Sequence, residues 1–140
     1  MGTFLKSLPS ALLILLFVYA ATSKLADFGG FRSQLSRQPF PSGVSDVLLY
    51  LLPAAEIIAA LLLLSRRTSF AGLQLSLGLL ILFTGYVALV LLHFWSRVPC
   101  SCGGILSHMT WKVHLFFNGG FLIINLIALC LYFKERRPVT

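Results

Sequence analysis

Two cysteines one residue apart carry the most specific chemistry in this chain. They are Cys100 and Cys102, within Val98-Pro99-Cys100-Ser101-Cys102-Gly103-Gly104. Pro99 fixes its own φ, and the two glycines permit a tight turn. With a single residue between them the sulfurs meet only on a bent backbone, so a disulfide there is strained and easily reduced. That suits a bond that exchanges better than one that staples. The plain alternative is a pair of inert thiols at a helix end, incidental to a non-catalytic accessory membrane subunit. A second reading is a metal site. Cys100, Cys102, His108 and His114 supply four soft or borderline ligands within fifteen residues, and zinc accepts a Cys2His2 set. Against it, the Cys spacing is tighter than the common zinc pattern, and His114 falls on a helix.

Glu56 is the clearest ionisable group inside an apolar run, three residues after Pro53. A charge at the middle of a bilayer costs about 2.5–3.5 kcal/mol on insertion scales. Glu56 must therefore be neutral, paired or facing a polar cavity. Lys24 is a candidate partner; the alternative is that Lys24 snorkels to the interface. A structural contact and a proton-handling role fit Glu56 equally well. His114, Asn118 and Asn125 fall at spacings of four and seven, which places them on one helix face. Tyr86 and His93 are also seven apart. Such stripes should turn toward a bundle interior. Interhelical hydrogen bonding accounts for Asn125, whereas His93 and His114 could instead rim a polar pocket beneath the Cys loop. Gly78 and Gly85 are expected at close helix contacts, and Cys130 as a small apolar filler. Trp95 and Trp111 flank the Cys loop as interface anchors.

Composition determines the framework that holds these residues. Of 140 residues, 58% are hydrophobic and only 11% charged, against about 25% charged in a soluble domain. That is too little charge to cover a globular surface. The net charge of +7 comes from residues set between apolar runs, not from a basic stripe with interleaved aromatics. A nucleic-acid-binding domain is thus excluded along with a soluble enzyme. Four apolar runs, about 8–25, 47–64, 70–94 and 113–133, each approach the roughly 20 residues that cross a bilayer. They do not alternate as barrel strands would, so helices must satisfy their backbone. The expectation is an all-α integral membrane four-helix bundle, residues 1–140 forming one transmembrane domain with the Cys-x-Cys loop at 95–112. Phe31 and Leu35, at i,i+4, mark a short interfacial helix between the first two spans.

Four spans put both termini on one side. That side holds six basic residues, including Arg66, Arg67, Arg136 and Arg137. The other holds five: Lys24, Arg32, Arg37, Arg97 and Lys112. Short Arg-rich segments beside helix ends weigh most. Both termini are accordingly expected in the cytoplasm, with the Cys loop facing outward, where disulfides persist.

The ordered set of elements resembles the MauE branch of the DoxX-like membrane proteins. The first run ends in Ala21-Thr22-Ser23-Lys24-Leu25-Ala26-Asp27-Phe28, similar to that family's small-residue, Lys-Leu, acidic, aromatic sequence. Leu52-Pro53-Ala54-Ala55-Glu56 is similar to its intramembrane Glu. Pro99-Cys100-Ser101-Cys102-Gly103-Gly104 resembles the Cys-x-Cys element that separates the MauE branch from DoxX proteins proper. His114 and Asn118 then open the last helix, as in redox-associated members. The resemblance implies a protein of the bacterial inner membrane that serves methylamine utilisation or, more broadly, maturation of periplasmic proteins. MauE proteins are associated with making the disulfide-rich small subunit of methylamine dehydrogenase, so the resemblance implies a client of that kind.

On this reading Cys100 and Cys102 are the catalytic pair of a thiol–disulfide oxidoreductase or electron relay. Their partner is a periplasmic thioredoxin-like protein or a disulfide-containing client. Glu56, Lys24, His93, His114 and Asn118 form a supporting polar pocket. No second outward Cys pair follows in the sequence. That prompts a quinone, held in the bundle near His93, His114 and Glu56, as the candidate cofactor.

Overall fold

Long apolar runs in lipid must satisfy their own backbone, and they do so here as helices. The computed structural model describes residues 2–37, 40–92 and 111–136. It contains α1 (Gly2–Ala26), α2 (Phe28–Ser36), α3 (Ser42–Leu64), α4 (Ser69–Leu91) and α5 (Trp111–Arg136). Four of these are long and apolar enough to cross a membrane, over Ser7–Ala26, Gly43–Leu64, Ser69–Leu91 and Lys112–Arg136. The helices overrun most of the apolar runs, because their end turns carry polar residues suited to the interface.

α1 packs on α3 and α5, and α4 packs on the same two helices, which closes a four-sided bundle. Leu13 and Phe17 of α1, Ala59 and Leu63 of α3, Leu73 and Leu80 of α4 and Ala128 of α5 form its main core. Lipid tails are as apolar as these side chains, so close packing rather than water exclusion holds the helices together. The outward faces are large and apolar, with Leu15, Leu61, Leu82 and Phe116 exposed to where lipid would lie.

Asp27 starts α2: its carboxylate accepts from the Gly30 backbone N–H at 3.1 Å, satisfying a donor that the first turn leaves free. Phe31 and Leu35 of α2 bury against Leu49 of α3, a second small core at this end of the bundle. The connection from α3 to α4 is tight. Thr68 Oγ1 donates to the Leu62 carbonyl at 2.8 Å and Ser69 Oγ to the Arg66 carbonyl at 3.1 Å. The α3 backbone passes so near Gly72 that a Cβ there would lie 2.9 Å from Leu63 N.

Two expectations from the sequence are corrected. Gly78 and Gly85 are not at close contacts: a Cβ on either would meet open space, and both are exposed. The close-approach glycine is Gly72. Cys130 does not fill the core but lies exposed on α5. Spacing along helices that are apolar on every side does not distinguish the inward face from the outward one.

Candidate functional site

The site grows from two side chains on antiparallel helices. In a helix each Cα–Cβ bond tilts toward the N-terminus. Lys24 lies in the last turn of α1, so its side chain heads back along α1 toward the bundle middle. Glu56 lies deep in α3, so its side chain heads back toward the end that carries α2. The two meet: Lys24 Nζ donates to Glu56 Oε1 at 2.9 Å. Glu56 is 1% exposed and Lys24 7%. Lys24 Nζ also donates to the Ala20 carbonyl at 3.4 Å and lies 5.8 Å from the Phe31 ring centroid. Burial of two charges is costly unless each is paired and hydrogen-bonded, and here the ammonium has two acceptors, the Glu56 carboxylate and the Ala20 carbonyl. Pro53 sits buried one turn before Glu56 and gives up one backbone N–H of α3.

This pair borders a cavity of about 340 Å³ lined by α1, α3, α4 and α5, with Leu35 of α2 on its wall. Leu16, Phe17, Leu52, Leu79 and Phe83 form most of the wall, and His114, Asn118 and Tyr86 add polar groups. Phe40, between α2 and α3, sets its ring 5.4 Å from that of Tyr86. Asn118 is 6% exposed. Its Nδ2, like Glu56 Oε2, has no hydrogen-bond partner among the described residues. A buried donor and a buried acceptor without protein partners among the described residues therefore belong to two residues that line one apolar cavity.

Lys24, Glu56, His114 and Asn118 thus surround one space. His93, Cys100, Cys102 and His108 lie outside the described residues, as do Trp95 and the rest of the loop between α4 and α5. Chain connectivity is nonetheless fixed. That loop leaves α4 six residues after Tyr86 and enters α5 three residues before His114, both of which line the cavity. Among the described residues no three His, Cys, Asp or Glu side chains gather to hold a metal ion. Of the four ligands in the metal reading, only His114 is described.

Asn125 stands apart from the cavity and makes an interhelical contact. Its Nδ2 donates to Ser76 Oγ of α4, and that hydroxyl donates to the Leu73 carbonyl. The sequence did not single out Ser76, nor the apolar cavity wall. A buried serine within a leucine-rich run was the available signal for Ser76; for Phe40, Leu79 and Phe83 there was none.

No curated protein and no solved structure matches the chain. The family model of methylamine utilisation protein MauE matches residues 2–132, from the start of α1 into the last turns of α5. With four helices able to span a membrane over that same stretch, the chain belongs to the MauE family of methylamine-utilisation membrane proteins.

Proposed function

We propose that this protein is a thiol–disulfide redox protein of the bacterial inner membrane that forms disulfides in periplasmic client proteins. The methylamine dehydrogenase small subunit is the client its family points to. The observation that carries the reading is the Cys100-Ser101-Cys102 pair in the loop that joins α4 to α5. That loop is tethered at the end of the bundle where Lys24, Glu56 and Asn118 face one cavity.

In the reaction, a client thiolate attacks one sulfur of an oxidised Cys100–Cys102 pair. A mixed disulfide forms as the Cys100–Cys102 bond breaks, and the freed cysteine leaves as a thiolate. A second client thiolate then attacks the client sulfur of the mixed disulfide. The client gains its disulfide and loses two electrons; the pair is left as a dithiol. A strained Cys-x-Cys bond favours this direction, because strain raises the reduction potential.

Sidedness follows from charge. Lys24 is buried against Glu56, so it drops out of the tally of free basic residues on the α2 side. Six basic residues on the terminal side then face four on the other, which supports cytoplasmic termini and a periplasmic Cys loop. The test is client oxidation in cells carrying the Cys100→Ser/Cys102→Ser double variant. Loss of the client's disulfides at unchanged protein level supports the reading. Normal client oxidation overturns it.

A further inference from the structure

The cavity is built for an occupant that is mostly apolar and polar at one end. Its wall is leucine and phenylalanine, which excludes a water-soluble metabolite. Lys24 and Glu56 cancel each other's charge, so the site offers no net attraction to a phosphate headgroup. An acyl chain would leave Glu56 Oε2 and Asn118 Nδ2 buried and unbonded, a cost that buried polar groups in folded proteins seldom bear. What satisfies all three conditions is a flat ring with oxygens that accept in one state and donate in the other.

We propose that the cavity between α1, α3, α4 and α5 binds the ring of a lipid-soluble quinone, with Lys24, Glu56 and Asn118 holding its oxygens. In the oxidised state a ring carbonyl accepts from Asn118 Nδ2 or the Lys24 ammonium. In the reduced state a ring hydroxyl donates to Glu56 Oε2. About 340 Å³ lies within the range of ligand sites, about 300–1,000 Å³. It accommodates the ring and the start of an isoprenoid tail. Leu82 lines the cavity and is 69% exposed, so the cavity reaches the lipid-facing surface of α4 and the tail can leave there.

The inference deepens the thiol–disulfide reading by naming its electron acceptor, and it rests on that reading for its purpose though not for its measurement. The balance closes without another reactant. Two thiols lose two electrons and two protons on becoming a disulfide, and a quinone takes up both to become a quinol.

The test uses the purified full chain in lipid nanodiscs with a photoreactive azido-quinone bearing a short alkyl tail. Cross-linked residues are mapped by mass spectrometry. Labelling is expected on cavity residues of α3, α4 or α5, and to be displaced by decyl-ubiquinone but not by decanol. Ala20→Phe, which fills the cavity from α1, should abolish labelling. Asn118→Leu should raise the decyl-ubiquinone concentration for half-displacement about tenfold, as loss of one buried hydrogen bond predicts. Helical circular dichroism and gel filtration verify both variants, and either alone suffices if the other does not fold. Displacement by decanol as effective as by decyl-ubiquinone, or labelling unchanged in the folded variants, overturns the quinone site.

The Cys100→Ser/Cys102→Ser variant separates the two claims. Specific labelling that persists in it, with client oxidation lost, supports both. Specific labelling with client oxidation intact upholds the cavity and removes the thiol reading. Client oxidation that depends on the cysteines without any specific labelling removes the cavity proposal alone.

Discussion

Lys24 Nζ and Glu56 Oε1 lie 2.9 Å apart, joining the last turn of α1 to the buried interior of α3. Thirty-two residues separate them in the chain, and α2 lies between them in sequence. This pair makes α1 and α3 a fixed unit beside the cavity. Removing one partner leaves the other charge buried and alone, which costs about 3–5 kcal/mol in folded proteins. Lys24→Met and Glu56→Met should each lower stability by that order in a detergent-unfolding titration. The double variant Lys24→Met/Glu56→Met should recover much of the loss. If the single losses simply added in the double variant, the pair would not be coupled.

The α4–α5 interface makes a second, smaller prediction. Asn125 donates to Ser76 across that interface, and both residues are fully buried. Interhelical hydrogen bonds in membrane proteins average about 0.6 kcal/mol, with a maximum of about 1.7 kcal/mol. A double-mutant cycle of Asn125→Ala and Ser76→Ala should return a coupling in that range. A coupling near zero would count against the contact.

Glycine substitutions separate close approach from mere sequence spacing. Gly72→Ala sets a Cβ against the backbone of α3 near Leu62 and Leu63 and should destabilise the bundle or open the α3–α4 turn. Gly78→Ala and Gly85→Ala place a methyl in open space. They should be neutral or stabilising by up to about 1 kcal/mol, the helix preference of Ala over Gly. Thermal scans of the three variants check this; equal losses at all three positions would contradict it.

Cys130 is the third cysteine and lies exposed on α5, away from the cavity lining. Cys130→Ser should leave client oxidation unchanged, measured as the fraction of client recovered in oxidised form. A marked loss would mean that the Cys100/Cys102 pair does not act alone.

Composition made the four spans legible, because so few charged residues cannot cover a soluble surface. Phe31 and Leu35 made α2 legible, since an i,i+4 apolar pair in a polar segment has one obvious use. Glu56 stood out by its cost in lipid and Lys24 as one candidate partner, but the sequence left pairing and snorkelling both open. Snorkelling and pairing use the same lysine stem, and only the packing of α1 against α3 decides between them. The cavity wall was illegible for a plainer reason: leucine lining a cavity and leucine facing lipid read alike in a sequence. The same degeneracy hid Gly72 behind the evenly spaced Gly78 and Gly85, and made Cys130 look like core.

Whether Cys100 and Cys102 form a reducible, outward-facing disulfide can be read in intact cells. In a Cys130→Ser background, a bulky membrane-impermeant maleimide is applied before and after mild reduction, and the mass shift of the protein is read. A shift only after reduction, equal to two labels, is expected. A shift without reduction, or one that appears only once the membrane has been opened, would contradict it.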